Sequence, residues 1–220
     1  MITAGSLARD KQSGQLVFVC DDEGALDKER DDPSRILSIE PIDPRTPRKE
    51  SQLSERFETD LAEVTEADGT DRQTVCARYD CMIIGSHWTE DTSTEEHYHI
   101  WVLREGDRAS VWLQRGHFGR CELLRELSTT NTVMLAHAIR ESRLFEWGQK
   151  YGNKGDQGWT IGGNAWSKTL IADNLKISTE GLDAFPPLLE GLCGNLRKLG
   201  VPVRFRGNRG LEYAPIQKKQ

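Results

Sequence analysis

The sequence lacks any apolar run near the roughly 20 residues that a bilayer-crossing helix requires. Its opening, MITAGSLARDKQSGQ, holds no apolar stretch of the kind a secretory leader carries, so a cytoplasmic protein with no membrane partner is expected. Cysteine is scarce and odd in number: Cys20, Cys76, Cys81, Cys121 and Cys193 are scattered along 220 residues. That spacing excludes a disulfide framework and fits a reducing compartment. Also missing are the short signatures of familiar catalysts: there is no G-x-S-x-G, no H-E-x-x-H and no kinase set. The glycine-rich GQKYGNKGDQGWTIGGN has no following G-K-S/T, so it reads as a connection and not as a phosphate loop. No catalytic residue, cofactor or metal set is therefore assigned.

Basic residues are short in the first half alone. Residues 1–100 carry 11 Lys and Arg against 23 Asp and Glu, whereas residues 101–220 carry 18 against 12. An acidic half followed by a basic half points to an anionic partner for the second, or to solvation of a polar first half.

The pattern along the chain predicts an α+β protein in three parts. Residues 1–70 form an acidic, partly irregular segment, with strands at LVFVC and ILSIEPI. Its SQLSERFETDLAEVTEA places Leu53, Phe57, Leu61 and Val64 on one face of an amphipathic helix. Residues 71–127 form a central antiparallel sheet, a meander of TVCARYDCMIIG, HYHIWVL and ASVWLQ, with REGDR as the turn between the last two. Residues 128–220 form a helical part: a long helix over 131–150, a helix or strand at SKTLIADNLKIS, and a helix through TEGLDAFPPLLEGLCGNLRKLG that stops at Gly200.

The end of the chain, LGVPVRFRGNRGLEY, is a hairpin by pattern. Val201, Val203 and Phe205 share one face with Leu211 and Tyr213, while Arg204 and Arg206 share the other. Leu188, Leu189, Leu192, Leu196 and Leu199 of the preceding helix offer cover for the apolar side. Through Leu196, Gly200, Val201, Gly207, Gly210 and Tyr213, this helix and hairpin resemble the last helix and wing of a winged helix-turn-helix domain. The resemblance covers about 30 residues and casts TLIADNLKIST as the preceding helix and turn. It implies non-enzymatic DNA or RNA binding, with Asn195, Arg197 and Lys198 toward a groove and Arg204, Arg206 and Arg209 on phosphates. A plain hairpin with solvated arginines fits the same residues.

Two rival readings remain. The acidic helix and the tryptophan-rich sheet suit a protein partner; Trp101 and Trp112, with Arg104, Arg108 and Arg115 nearby, also suit base stacking. His97 and His99, two apart on a strand, face one way as metal ligands of a hydrolase would, and equally as two polar residues on a wet sheet face.

Overall fold

The computed structural model describes residues 1–21, 35–46, 54–88, 98–116, 120–152, 164–207 and 210–216. They belong to two compact units, Met1–Asp68 and Gly69–Gln220.

In the first unit, β1 (Leu7–Asp10), β2 (Leu16–Asp21), β3 (Ile36–Pro41), β4 (Ser54–Phe57) and β5 (Leu61–Glu63) form one antiparallel sheet in the order β4-β3-β2-β1-β5. In a flat sheet the edge strands β4 and β5 would lie about 19 Å apart. The chain from Phe57 to Leu61, through the 3-10 turn Glu58–Asp60, reaches at most about 14 Å. The sheet must therefore curl toward a small barrel. Its interior holds Ile2, Ala8, Val17, Val19, Leu37, Ile39 and Leu61.

The amphipathic helix expected over residues 51–67 is not formed: residues 54–63 are strand, turn and strand. A four-residue apolar spacing also fits a strand–turn–strand, and the open edges of β3 and β1 supply hydrogen bonds that a helix would leave unmade. The Glu58 carboxylate locks the turn, accepting from the Ile2 amide at 2.7 Å and pairing with Arg35 at 3.7 Å.

The second unit is built on a seven-stranded sheet in the order β10-β12-β11-β6-β7-β8-β9. Its strands are β6 (Cys81–Trp88), β7 (Tyr98–Glu105), β8 (Arg108–Arg115), β9 (Cys121–Leu127), β10 (Lys150–Tyr151), β11 (Asn164–Ala172) and β12 (Leu175–Leu182). The expected meander is present as β6-β7-β8, and β9 extends it; its first strand begins only at Cys81, because the start of TVCARYDCMIIG belongs to a short helix, Arg72–Cys76, capped by the Asp71 side chain. Gly106, with φ 64, opens the two-residue turn between β7 and β8, where a side chain would be strained.

Strand alternation sends Met82, Ile84, Tyr98, Ile100, Val102, Val111, Leu113, Leu170 and Ile177 to one face. Onto this core pack Cys76 of α1 (Arg72–Cys76), Leu135 and Ile139 of α2 (Thr129–Glu141), and Leu189, Leu192, Cys193 and Leu196 of α3 (Leu189–Lys198). α2 begins at Ser128, whose side chain caps the Asn131 amide, and it ends well before residue 150 because Arg143 turns left-handed at φ 49.

SKTLIADNLKIS is not a helix. It is the β11–β12 hairpin, with Lys168 opposite Thr179, Leu170 opposite Ile177, and Asp173 at φ 49 in the turn. The β-branched Thr169, Ile171, Ile177 and Thr179 favour this outcome, and β11 fills the gap between β12 and β6. Likewise Thr179–Leu182 lie in β12, and α3 begins only after Pro186 and Pro187.

The first unit contains one buried polar knot. Asp10 accepts from the amides of Gln12 (2.8 Å) and Ser13 (3.2 Å) and from Arg56 Nε (3.1 Å), fixing the β1–β2 turn. Burial alone would raise the carboxyl; the two amides and the guanidinium outweigh it and hold it below its ordinary value. Its stabilisation is thus present above the unfolded value near 3.8 and is lost as pH falls through the lower folded one. Asp10→Asn should flatten this acid limb and lower stability at pH 7 by about 1–3 kcal/mol. Urea titrations followed on the amide resonances of β1–β3 at pH 7 and pH 3 measure both effects; equal loss at the two pH values would refute the assignment.

Candidate nucleic-acid interface

The end of α3 sets the direction of everything after it. Val201 N donates to Leu196 O at 2.9 Å and Gly200 N to Arg197 O at 3.1 Å, a reversal that needs a left-handed residue; Gly200 supplies it at φ 106. The chain then forms β13 (Val203–Phe205) and β14 (Leu211–Tyr213), with Arg204 opposite Glu212. The turn glycines Gly207 and Gly210 both have positive φ.

The hairpin has the two faces its pattern predicts. Val203 and Leu211 are buried in the core, with Phe205 and Tyr213 packed at its margin. The hairpin is fastened to the sheet by the Ser86 hydroxyl, which donates to Leu211 O at 2.6 Å. Tyr98 and Tyr213 meet at 6.2 Å, and Phe185 meets Phe205 edge-on at 5.0 Å. The outward face carries Arg204 and Arg206, both directed at Glu212 Oε1, at 3.5 and 2.7 Å. Two cations share one carboxylate, and these pairs are solvent-exposed enough to be worth under about 1 kcal/mol each. They are free to be redirected toward another anion.

The six basic and polar residues expected at the interface are not equivalent. Arg197 is committed to structure: Nη1 donates to Ala214 O at 2.6 Å and Nη2 to Pro215 O at 3.4 Å, tying helix to hairpin. Asn195 is half-buried, and Lys198 is exposed at the last turn of α3. Arg204 and Arg206 stand together; Arg209 lies outside the described residues. The exposed side of α3 is otherwise Glu190, Gly191 and Gly194, a poor reading surface. The helix and turn expected at TLIADNLKIST, ahead of the last helix and hairpin, are replaced by the β11–β12 hairpin.

Sequence reading set Arg115 beside the tryptophans and missed its approach to the hairpin. It projects from the end of β8 over the ring of Tyr213 at 5.2 Å, adding a third arginine beside the hairpin. Nothing in the local pattern joins residues 98 positions apart; only the sheet does.

Trp101 and Trp112, the two tryptophans expected to stack on bases, are instead bonded within the sheet. Trp101 is 2% exposed, with Nε1 donating to Gln114 Oε1 at 3.0 Å, and half-buried Trp112 donates to Ser110 Oγ at 2.9 Å. Arg104 is turned back onto Gly106 O and the Tyr79 ring. His99 lies on the sheet face opposite Tyr98 and Ile100, folded across Gly85, where a Cβ would stand 2.7 Å from its ring. His97 lies outside the described residues, and among those described no three His, Cys, Asp or Glu are grouped to hold a metal. No disulfide joins any of the five cysteines, and three are buried; burial pushes the Cys193 thiol up to about 12. No helix among the described residues is long and apolar enough to cross a membrane. Compared with protein-family models, curated proteins and solved structures, the chain matches none.

Gly200 tests the geometry. A Cβ there would stand 2.7 Å from Arg125 Nη1 and 3.3 Å from Leu127 Cδ2, on a backbone that side chains rarely adopt. Gly200→Ala should cost at least about 1 kcal/mol. A thermal melt of the variant would show a lower midpoint, and an unchanged one would mean that the reversal tolerates another path.

Proposed function

We propose that this chain binds nucleic acid without catalysing a reaction, through a cationic surface centred on its C-terminal hairpin. The observation that carries the reading is local charge. Residues 197–216 contain Arg197, Lys198, Arg204, Arg206 and Arg209 against a single carboxylate, Glu212. Arg204 and Arg206 face away from the core, and Arg115 lies over the Tyr213 ring of the same hairpin. Phosphates of DNA or RNA are the anions such a ridge suits, and contacts of this kind position a protein without reading sequence. The α3 residues contribute unequally: Lys198 meets the phosphate backbone, Asn195 stands at the margin, and Arg197 supports the hairpin from within.

A protein partner is the rival. What favours it is neither the acidic helix, which is not formed, nor the buried Trp101, but Val133 and Met134, adjacent on α2 and 51% and 50% exposed. Apolar side chains exposed side by side suit a contact between proteins.

A salt series separates the two. Retention on duplex DNA, single-stranded DNA and RNA should weaken with salt, and Arg204→Ala/Arg206→Ala should lower the slope of log K against log salt by about two units. Glu212→Gln, which releases both arginines, should instead strengthen binding. Absence of retention by wild type at low salt ends the nucleic-acid reading and turns attention to Val133 and Met134.

A further inference from the structure

Lys168 is the most unusual side chain in the fold. It lies on β11 and points to the helix-covered face of the sheet, where it is 2% exposed. Its Nζ has no hydrogen-bond partner, and no ion pair to it is formed among the described residues. Its cross-strand neighbour Thr179, buried on the same face, has an equally unpartnered hydroxyl. Such pairs place their Cβ atoms about 5 Å apart, and the two polar ends are not hydrogen-bonded to each other here. The ring of Trp147 lies 5.4 Å from Nζ. An ammonium so placed is severely disfavoured, whereas a neutral amine is tolerated. Burial accordingly holds Lys168 well below the ordinary lysine value, with the nearby Cys76 acting the other way.

Trp147 is the cover of this site. It is half-buried, so its ring forms part of the surface above a buried amine. It follows the three-residue 3-10 turn Leu144–Glu146, which is entered through left-handed Arg143; its backbone amide donates to Leu144 O at 3.3 Å and its Nε1 to Ser142 O at 3.0 Å, while the ring packs on the margin of the core. The Trp147 ring is therefore the side chain whose truncation would uncover Nζ.

We propose that Lys168 is a nucleophilic amine that takes a small aldehyde or ketone as an imine, with Thr179 beside it and Trp147 as its cover. The Nζ lone pair adds to the carbonyl carbon. The Thr179 hydroxyl relays a proton from nitrogen to the former carbonyl oxygen, which leaves as water while the C=N bond forms. Two N–H protons and one oxygen depart as that water, and no oxidant or reductant is consumed. A carbonyl compound is preferred over an anion because an anion would require the charged form that this burial opposes. The site lies apart from the cationic hairpin and does not depend on how that hairpin is used.

The test is reductive trapping on the full-length native protein with propionaldehyde and cyanoborohydride at pH 6.5, read by peptide mass spectrometry at short times. Exposed Lys150 and Lys198 serve as internal references for accessible amines. Lys168 should be alkylated at least about ten-fold faster than either, because its burial favours the neutral, nucleophilic amine. Trp147→Ala should accelerate it further, and Thr179→Val should slow it while leaving the reference lysines unchanged. Lys168→Met should fold with a melting point no lower than wild type, which shows that the amine is not a structural requirement. Labelling of Lys168 slower than the references in both wild type and Trp147→Ala overturns the proposal, as does labelling that appears only in urea.

Discussion

One apolar face of a seven-stranded sheet has to be removed from water, and the second unit is organised around that requirement. Strands β6, β7 and β8 present alternate residues to it, and α2 and α3 lie over it through Leu135, Ile139, Leu192 and Leu196. Each such side chain contributes about 1.5–3 kcal/mol when fully buried. That is several times what any surface arginine pair supplies. The hairpin β13–β14 completes the cover with Val203 and Leu211. Because a strand alternates, committing Val203 to the core commits Arg204 to the other face. The cationic ridge is therefore a by-product of core closure, oriented by hydrophobic burial and not by the charges themselves.

Two left-handed residues translate that requirement into positions. Gly200 reverses the chain at the end of α3 at little conformational cost, and the reversal aims the hairpin back at Ser86 and Tyr98. Arg143 does the corresponding work after α2 at a cost of about 1–2 kcal/mol, since it carries a side chain. What it achieves is to bring Trp147 down against β11, where the ring shields Lys168. A helix continuing to residue 150 would have carried Trp147 past the site.

Where local pattern and tertiary demand agree, the sequence was legible. The β6-β7-β8 meander, the Gly200 stop and the two faces of the last hairpin follow from alternation and glycine alone. Legibility failed where one pattern admits two periods. Leu53, Phe57, Leu61 and Val64 satisfy a helix, but the free edges of β1 and β3 needed strands, and the short reach from Phe57 to Leu61 curls the sheet. TLIADNLKIST satisfies a helix too, yet its place between β12 and β6 is settled by partners far along the chain. The candidate interface divides in the same way. Arg204 and Arg206 were readable from alternation, whereas the bonds from Arg197 to Ala214 and Pro215, and the approach of Arg115 to Tyr213, depend on contacts no local window contains. Lys168 counted in sequence as one more surface cation, because burial of a lysine leaves no local signature.

That last point changes the meaning of the charge split. A formal count gives every lysine and arginine of the second half equal weight. An amine enclosed with no acceptor contributes little field at the surface, and Arg197 spends its donors on backbone carbonyls. Arg104 is folded onto Gly106 O and Tyr79. Removing these leaves a smaller excess, within which Arg204 and Arg206 stand together on the hairpin with Glu212 between them. At physiological salt the field of exposed charges fades over about 8 Å, so a ligand responds to the local cluster and not to the sum over 120 residues. At the hairpin, Arg204 and Arg206 are held outward by the same kind of burial that hides Lys168.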